Sequence, residues 1–278
     1  MRTWITYNVG LMHGAVNLLV MDVGNSRTQV GRVLGTDLDS TASYANEAAP
    51  EIVAGIVERW ATLPTDAPRA VLLASVNDPV AQRLSSMISD QLSEEVYQIG
   101  SDIPVPIAED LDPETITGID RLLNAVAAFE TAQQACVIVD AGTAVTVDFI
   151  DGKGTFHGGA IAPGARMQLA ALHNCTEALP DIDFAKPLDG QYGKSTSQAM
   201  LQGVYHGIRG MVWRLVEKYA EAYGAYPMVI VTGGDAAILF GEDELIDRVV
   251  PHLTLLGIAT CARHVLATHP DRPGDSSE

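Results

Sequence analysis

Hydrophobic and polar positions follow one pattern twice along this chain. Residues 18–33, LLVMDVGNSRTQVGRV, pass from an apolar run into an Asp, a Gly and a hydroxyl side chain, and then alternate apolar and polar. Residues 137–150, VIVDAGTAVTVDFI, do the same. An apolar run, a tight glycine turn and a period-two run predict a hairpin of one buried and one half-buried strand. The turn glycine lets the backbone come close to a ligand. Asp22 and Asp140 each end an apolar run and stand 118 positions apart (140 minus 22). A pattern repeated over that distance predicts two related halves.

The segments between the hairpins alternate strand and helix. Residues 41–47 predict a third strand, and residues 50–63 a helix with Ile52, Val53, Ile56, Val57 and Trp60 at helical spacing, stopped by Pro64. Strands follow at 70–76 and 96–99, with a helix from Asp78-Pro79 to about Leu92 between them. Residues 101–117 are rich in Pro, Asp and Glu and predict a loop or crossover. Residues 118–132 place Leu122, Leu123, Val126 and Phe129 on one helical face, which puts Asp120 and Arg121 in the first turn. The second half predicts a strand over GGAIAPG at 158–164, helices at 165–177, 196–223 and 255–268, and a strand at 228–231. That strand runs into Thr232-Gly233-Gly234-Asp235, and another helix follows. Gly203, Gly207 and Gly210 inside the longest helix permit close packing at about 1 kcal/mol each relative to Ala. The expected divisions are an N-terminal extension (1–17), an N-terminal domain (18–116), a C-terminal domain (117–268) and a polar tail (269–278).

With 278 residues, 47% of them hydrophobic, the chain can bury a large core. No apolar run approaches the ~20 residues that span a bilayer, and residues 1–17 lack the apolar core and cleavage site of a signal peptide. Cys136, Cys175 and Cys261 are odd in number and show no metal-binding spacing, as reduced cytoplasmic thiols would. A net charge of −18 argues against a nucleic-acid partner. Positive potential for an anionic ligand must therefore be local.

A carboxylate at the end of a buried strand costs several kcal/mol to desolvate unless a cation or donors compensate. Two at equivalent places imply a compensating cation, so the paired turns point to a phosphate and metal site between the halves. Asp120, taken alone, is an acid of the kind that favours helix N-termini. Gly193-Lys194-Ser195 imitates the end of a P-loop, but Leu188 stands where its first Gly belongs and no strand precedes it. Gly152, Gly154 and Gly158 lie within a hairpin with no helix after them, unlike a dinucleotide fingerprint. The scattered histidines make no metal pair, and no GxSxG elbow occurs.

The motifs DVGNSRTQ, GIDR, DAGTAVTVD, GGAIAPG, GKST, VTGGDA and LTLLGIA occur in the order and approximate spacing of the type III pantothenate kinases, over about residues 18–267. The chain resembles that family, which belongs to the acetate and sugar kinase, Hsp70 and actin superfamily. The resemblance implies an α/β protein of two related actin-like (ribonuclease H-like) domains facing each other across a nucleotide cleft. It implies ATP-dependent phosphorylation of pantothenate to 4'-phosphopantothenate, the first step of coenzyme A synthesis, in the cytoplasm. The alternatives are a non-catalytic nucleotide-binding regulator of the same fold and a related kinase for another small hydroxyl substrate. Asp22, Val23, Gly24, Asn25, Ser26, Arg27, Thr28 and Gln29 match the first phosphate loop, with Asp22 holding Mg²⁺ through water. Asp120 matches the catalytic base, and Gly118, Ile119, Asp120 and Arg121 the pantothenate segment. Asp140 matches the ligand of a monovalent cation, K⁺ or ammonium. Thr143 matches an ATP contact, Gly233 and Gly234 the adenosine-side turn, and Thr196 a pantothenate contact given across a homodimer interface. This sequence departs from the family in Ser26 for Thr, in Ile119 for Ala, in lacking a Tyr over 101–117, and in one extra residue between Pro113 and Gly118.

Overall fold

The computed structural model describes residues 16–190 and 192–268. The expected tail and nearly all of the N-terminal extension lie outside the described residues. Two residues assigned to that extension belong to the first unit: Val16 is buried in its core, and Asn17 opens β1 (Asn17–Val23). Asn17 donates from its backbone to the Pro68 carbonyl at 3.0 Å and from its side chain to the Pro64 carbonyl at 3.1 Å.

Both predicted hairpins form. β1 is antiparallel to β2 (Arg27–Leu34), and β7 (Cys136–Ala141) is antiparallel to β8 (Ala144–Ile150). The remaining strands are β3 (Asp37–Ala45), β4 (Arg69–Ser75), β5 (Val96–Gln98), β6 (Ala108–Glu109), β9 (Thr155–Pro163), β10 (Met228–Thr232) and β11 (Arg248–Val249). The helices are α1 (Ala49–Ala61), α2 (Asp78–Leu92), α3 (Ile119–Ala132), α4 (Ala165–Asn174), α5 (Thr196–Tyr223), α6 (Ala236–Phe240) and α7 (Leu253–Thr268). One sheet has the order β3-β2-β1-β4-β5, and the other β11-β10-β7-β8-β9-β6. Read from β9 to β11, the second sheet repeats the first strand for strand, with β1 parallel to β4 and β7 parallel to β10. The internal repeat suggested by the two Asp-x-Gly turns is thus a repeat of topology.

The compact units are not the contiguous halves 18–116 and 117–268. Residues 16–106, 116–127 and 254–268 form one unit, and residues 107–115 and 128–253 the other. The reason lies in β1, whose seven residues are all buried. Leu19, Met21 and Val23 pack with α1 and α2 through Ile52, Ile56, Leu84 and Ile88. Leu18 and Val20, on the opposite face, need separate cover. They obtain it from Leu123 of α3 and from Leu255, Ile258, Ala259 and Val265 of α7. Among the described residues no other helix of the first half packs on that face, and the last helix returns to the first unit. A buried hydrogen bond of 3.0 Å from the Thr254 hydroxyl to Asn124 Oδ1 joins these two helices.

The second unit centres on Val137, Val139, Val145 and Val147, covered by Leu169 of α4 and by Leu201, Val204, Ile208 and Val212 of α5. The predicted crossover at 101–117 contains β6, which pairs in parallel with β9. Ser195 caps α5 by accepting the Gln198 N–H at 3.2 Å, after a loop rather than a strand. This local cap accounts for the hydroxyl in Gly193-Lys194-Ser195. The three cysteines form no disulfide, and burial pushes the Cys136 and Cys261 thiols up to about 12.

Candidate active site

In the first unit, Asp22 is the penultimate residue of β1, 8% exposed, in register with Gln29 of β2 and Ala74 of β4. The turn after it, residues 24–26, is held from behind. The Gly24 N–H donates to the Arg27 carbonyl at 2.9 Å. Asn46 Nδ2 donates to the carbonyls of Gly24 at 2.8 Å and Asn25 at 3.1 Å, and the Asn46 backbone N–H to that of Ser26 at 3.2 Å. Asn46 Oδ1 accepts the buried Thr28 hydroxyl at 2.9 Å. The Arg27 guanidinium is engaged with β3, where it donates to Ser43 Oγ at 2.8 Å and the Ser43 carbonyl at 2.9 Å.

Asp120 reaches the same edge of the first sheet through a short chain of contacts. The Val76 N–H, just past β4, donates to the Val23 carbonyl at 3.1 Å. Gly118 lies against Val76, with its Cβ direction 3.8 Å from the Val76 side chain. Two residues later, Asp120 Oδ1 accepts the Arg121 N–H at 2.9 Å in the first turn of α3. Gly118 leaves room for that carboxylate, since a Cβ there would stand 2.6 Å from Asp120 Oδ1. Ile119 points into the core of the unit, packed with the cluster around Leu18 and Leu255. The larger side chain at this position is therefore accommodated by the core. The Thr117 hydroxyl is buried and has no hydrogen-bond partner among the described residues, which leaves it available to a polar ligand.

In the second unit three turns meet at Asp140, the penultimate residue of β7. Gly142 and Thr143 form the first, and the Gly142 N–H donates to the Ala144 carbonyl at 2.9 Å. Gly164, the N-cap of α4, donates to the Thr143 carbonyl at 3.0 Å, and any Cβ there would overlap the Gly142 carbonyl oxygen. Gly233 adopts φ +98°, and a Cβ on it would collide with the Ala141 carbonyl and stand 2.5 Å from Asp140 Oδ1. Asp235, only 2% exposed, donates its N–H to the Ala141 carbonyl at 2.9 Å. Its carboxylate is held at 2.6 and 2.7 Å by Arg166, which ties α4 to this turn. Thr196, the first residue of α5, is exposed.

The structure thus gathers Asp22 to Gln29, Gly118 and Asp120 on the first unit, and Asp140, Thr143, Gly233 and Gly234 on the second. Asn46, Arg83, Thr117 and Arg166 were not among the predicted site residues. Each is a lone polar residue in sequence, and no spacing marks it. A cavity of about 270 Å³ on the second unit, lined by Lys186, Gln202, Tyr205, Arg209, Glu242 and Asp243, contains none of the predicted site residues. Its two cations are already neutralised, Arg209 by Asp243 at 2.5 Å and Lys186 by Glu242 at 2.6 Å.

No group of three or more His, Cys, Asp or Glu able to hold a metal ion occurs among the described residues. Asp22 alone suits a hard divalent ion that keeps its waters and reaches the protein through one carboxylate and the phosphates of a substrate. Among the described residues, no helix is long and apolar enough to cross a membrane.

Comparison with known proteins adds a family. The sequence profile of a family described as type III pantothenate kinase matches residues 18–218. The chain is 32% identical over 251 residues to the type III pantothenate kinase of Syntrophotalea carbinolica, covering 87% of this chain and 96% of that one. It is 33% identical over 246 residues to that of Anaeromyxobacter dehalogenans, with the same coverage. Among solved structures, it resembles a conserved putative Baf family transcriptional activator from Campylobacter jejuni, with a TM-score of 0.55, 19% identity, and 91% and 98% of the two chains covered. It also resembles component A of (R)-2-hydroxyglutaryl-CoA dehydratase from Acidaminococcus fermentans, with a TM-score of 0.54, 15% identity, and 91% and 99% covered. At such identities these two likenesses concern the fold alone.

Proposed function

We propose, since this chain belongs to the type III pantothenate kinase family, that it transfers the terminal phosphoryl group of ATP to the primary hydroxyl of pantothenate. The product is 4'-phosphopantothenate, and the reaction opens coenzyme A synthesis. The observation that carries this reading is the family match over residues 18–218, which spans both Asp-x-Gly hairpins and the Asp120 helix. In a bacterium deprived of its own pantothenate kinase, expression of this chain is expected to restore growth. Soluble expression without growth would contradict the assignment.

Phosphoryl transfer asks for alignment and for charge neutralisation on oxygen more than for covalent help. In this reading residues 22–29 receive the phosphates, Thr143 touches ATP, and Gly233 and Gly234 lie against its adenosine. Mg²⁺ at Asp22 would supply positive charge to the phosphate oxygens. Asp120 takes the proton of the attacking hydroxyl, while Gly118, Ile119 and Arg121 form the pantothenate segment. The departures at 101–119 fall on that segment or just before it, and Ser26 for Thr keeps a hydroxyl in the phosphate turn. The buried thiols, kept reduced, support a cytoplasmic location.

Asp140 is read as the ligand of a monovalent cation. Its carboxylate stands among closely packed backbone at Gly233 and Ala141, where a cation with few waters is better suited than a strongly hydrated one. Turnover is expected to require K⁺ or ammonium and to collapse in Na⁺ alone, measured at constant ionic strength. Equal rates in all three salts would remove this role from Asp140.

Thr196 of the partner subunit is read as completing the pantothenate site of a homodimer. The glycine face of α5 supports this. Among the described residues, nothing lies within 4 Å of a Cβ built on Gly203, Gly207 or Gly210, so packing among those residues does not call for glycine there. Three interior glycines weaken a helix by about 3 kcal/mol in total relative to Ala. A close approach by a second copy would give that cost a purpose. Gly207→Leu is expected to produce a folded monomer with little pantothenate turnover, read by sedimentation. A fully active dimer would place the interface elsewhere.

A further inference from the structure

We infer that Asn46 is a positioning residue for phosphate binding, a side chain that fixes the polarity of the first turn without touching the nucleotide. The inference rests on the reading of residues 22–29 as the phosphate loop. Every contact made by Asn46 lies within the first unit.

Asn46 is 5% exposed and follows directly on β3. It meets the turn with every hydrogen-bonding group it has except its carbonyl. Nδ2 donates to the carbonyls of Gly24 and Asn25, the backbone N–H to that of Ser26, and Oδ1 accepts from Thr28. The remaining carbonyl accepts the Arg83 guanidinium of α2 at 3.0 Å. Three successive carbonyls are therefore drawn to one residue. In a trans peptide the N–H points opposite to the preceding C=O. The N–H groups of Asn25, Ser26 and Arg27 are thereby turned to the side away from Asn46. Successive N–H groups on one side of a turn form a concavity that receives anionic oxygens. In a protein of net charge −18 such a local donor set matters, because no broad positive field draws a nucleotide in.

The second unit contains the control. Gly164 follows β9 as Asn46 follows β3, and it too donates its backbone N–H to the last carbonyl of the facing turn, that of Thr143 at 3.0 Å. There the backbones touch, and no side chain fits. The turn after β1 is one residue longer, with residues 24–26 between the strands against 142–143 after β7. The longer turn stands off from the residue after β3, and the Asn46 carboxamide fills the gap with hydrogen bonds. The same topological position thus serves a short turn as glycine and a long turn as asparagine.

Asn46→Asp tests this with little change of shape. The Oδ1 acceptor for Thr28 and the backbone N–H remain, but both Nδ2 donations disappear and a carboxylate oxygen faces two carbonyls. The KM for ATP is expected to rise tenfold or more while the KM for pantothenate stays within twofold. Arg83→Met, at an exposed position of α2, is expected to raise the KM for ATP about threefold in a folded protein, and decides the matter should Asn46→Asp not fold. Asp39→Asn, which breaks the Arg32 pair at 2.7 Å on the same sheet, controls for a general loss of stability and should move neither KM. Gly24→Val tests the loop itself. If it leaves ATP binding intact, the phosphate-loop reading fails and the inference with it. If Gly24→Val weakens ATP but the Asn46 and Arg83 variants keep the wild-type KM, or shift both substrates equally, only the inference is overturned.

Discussion

Asp120→Asn is expected to lower kcat by about 10³-fold, within the range usual for loss of a positioned acid or base, while ATP still binds with wild-type affinity. The substitution keeps the size of the side chain and its oxygen, so the hydrogen bond from the Arg121 N–H at 2.9 Å can persist and α3 should begin where it does now. What is lost is the capacity to take a proton from the acceptor hydroxyl. A bland role for Asp120 as a helix-end acid predicts a different result, a modest fall in stability of a few tenths to ~1 kcal/mol and normal turnover. Steady-state kinetics together with equilibrium ATP binding distinguish the two. Full activity in Asp120→Asn would remove it as the base.

Gly233→Ala is expected to abolish measurable ATP binding and to destabilise the second unit. A φ of +98° costs an L-residue about 1–3 kcal/mol. The new Cβ would also collide with the Ala141 carbonyl and press on the Asp140 carboxylate. Because Asp235 follows at two residues and donates to the same Ala141 carbonyl, the turn cannot move without breaking that bond and disturbing the Arg166 pair. Thermal unfolding and nucleotide binding measured on one preparation check both effects. Gly234, by contrast, has nothing within 4 Å of its Cβ direction among the described residues, so Gly234→Ala should leave stability nearly unchanged. Equal effects at the two glycines would contradict this account of the turn.

What the sequence made legible follows from where each signal lies. Asp22 and Asp140 stood out because a carboxylate closing an apolar run has few dull explanations, and the two hairpins form at those places. α1, α2 and α5 were legible from their apolar period and their end signals, Pro50, Asp78-Pro79 and the Thr196 start. β6 and β11 have two residues each, too few to express any period. The allegiance of α7 to the first sheet was hidden for another reason: its apolar positions say that it is buried, not against which sheet. Asn46 and Arg166 were invisible because their meaning lies in partners 22 and 69 positions away. Polar residues of that kind carry no local pattern at all.

The central claim, that the paired acidic turns and the Asp120 helix serve phosphoryl transfer to pantothenate, is tested most directly by one acceptor-resolved measurement. The purified chain would be given ATP, Mg²⁺ and K⁺ with pantothenate or with other small alcohols, and ADP release and phosphorylated product would be followed together. Pantothenate-dependent ADP release, matched mole for mole by 4'-phosphopantothenate and faster than with any other acceptor, is the expected result. ATP that binds but is not consumed with pantothenate, or that is spent preferentially on a different alcohol, would contradict it.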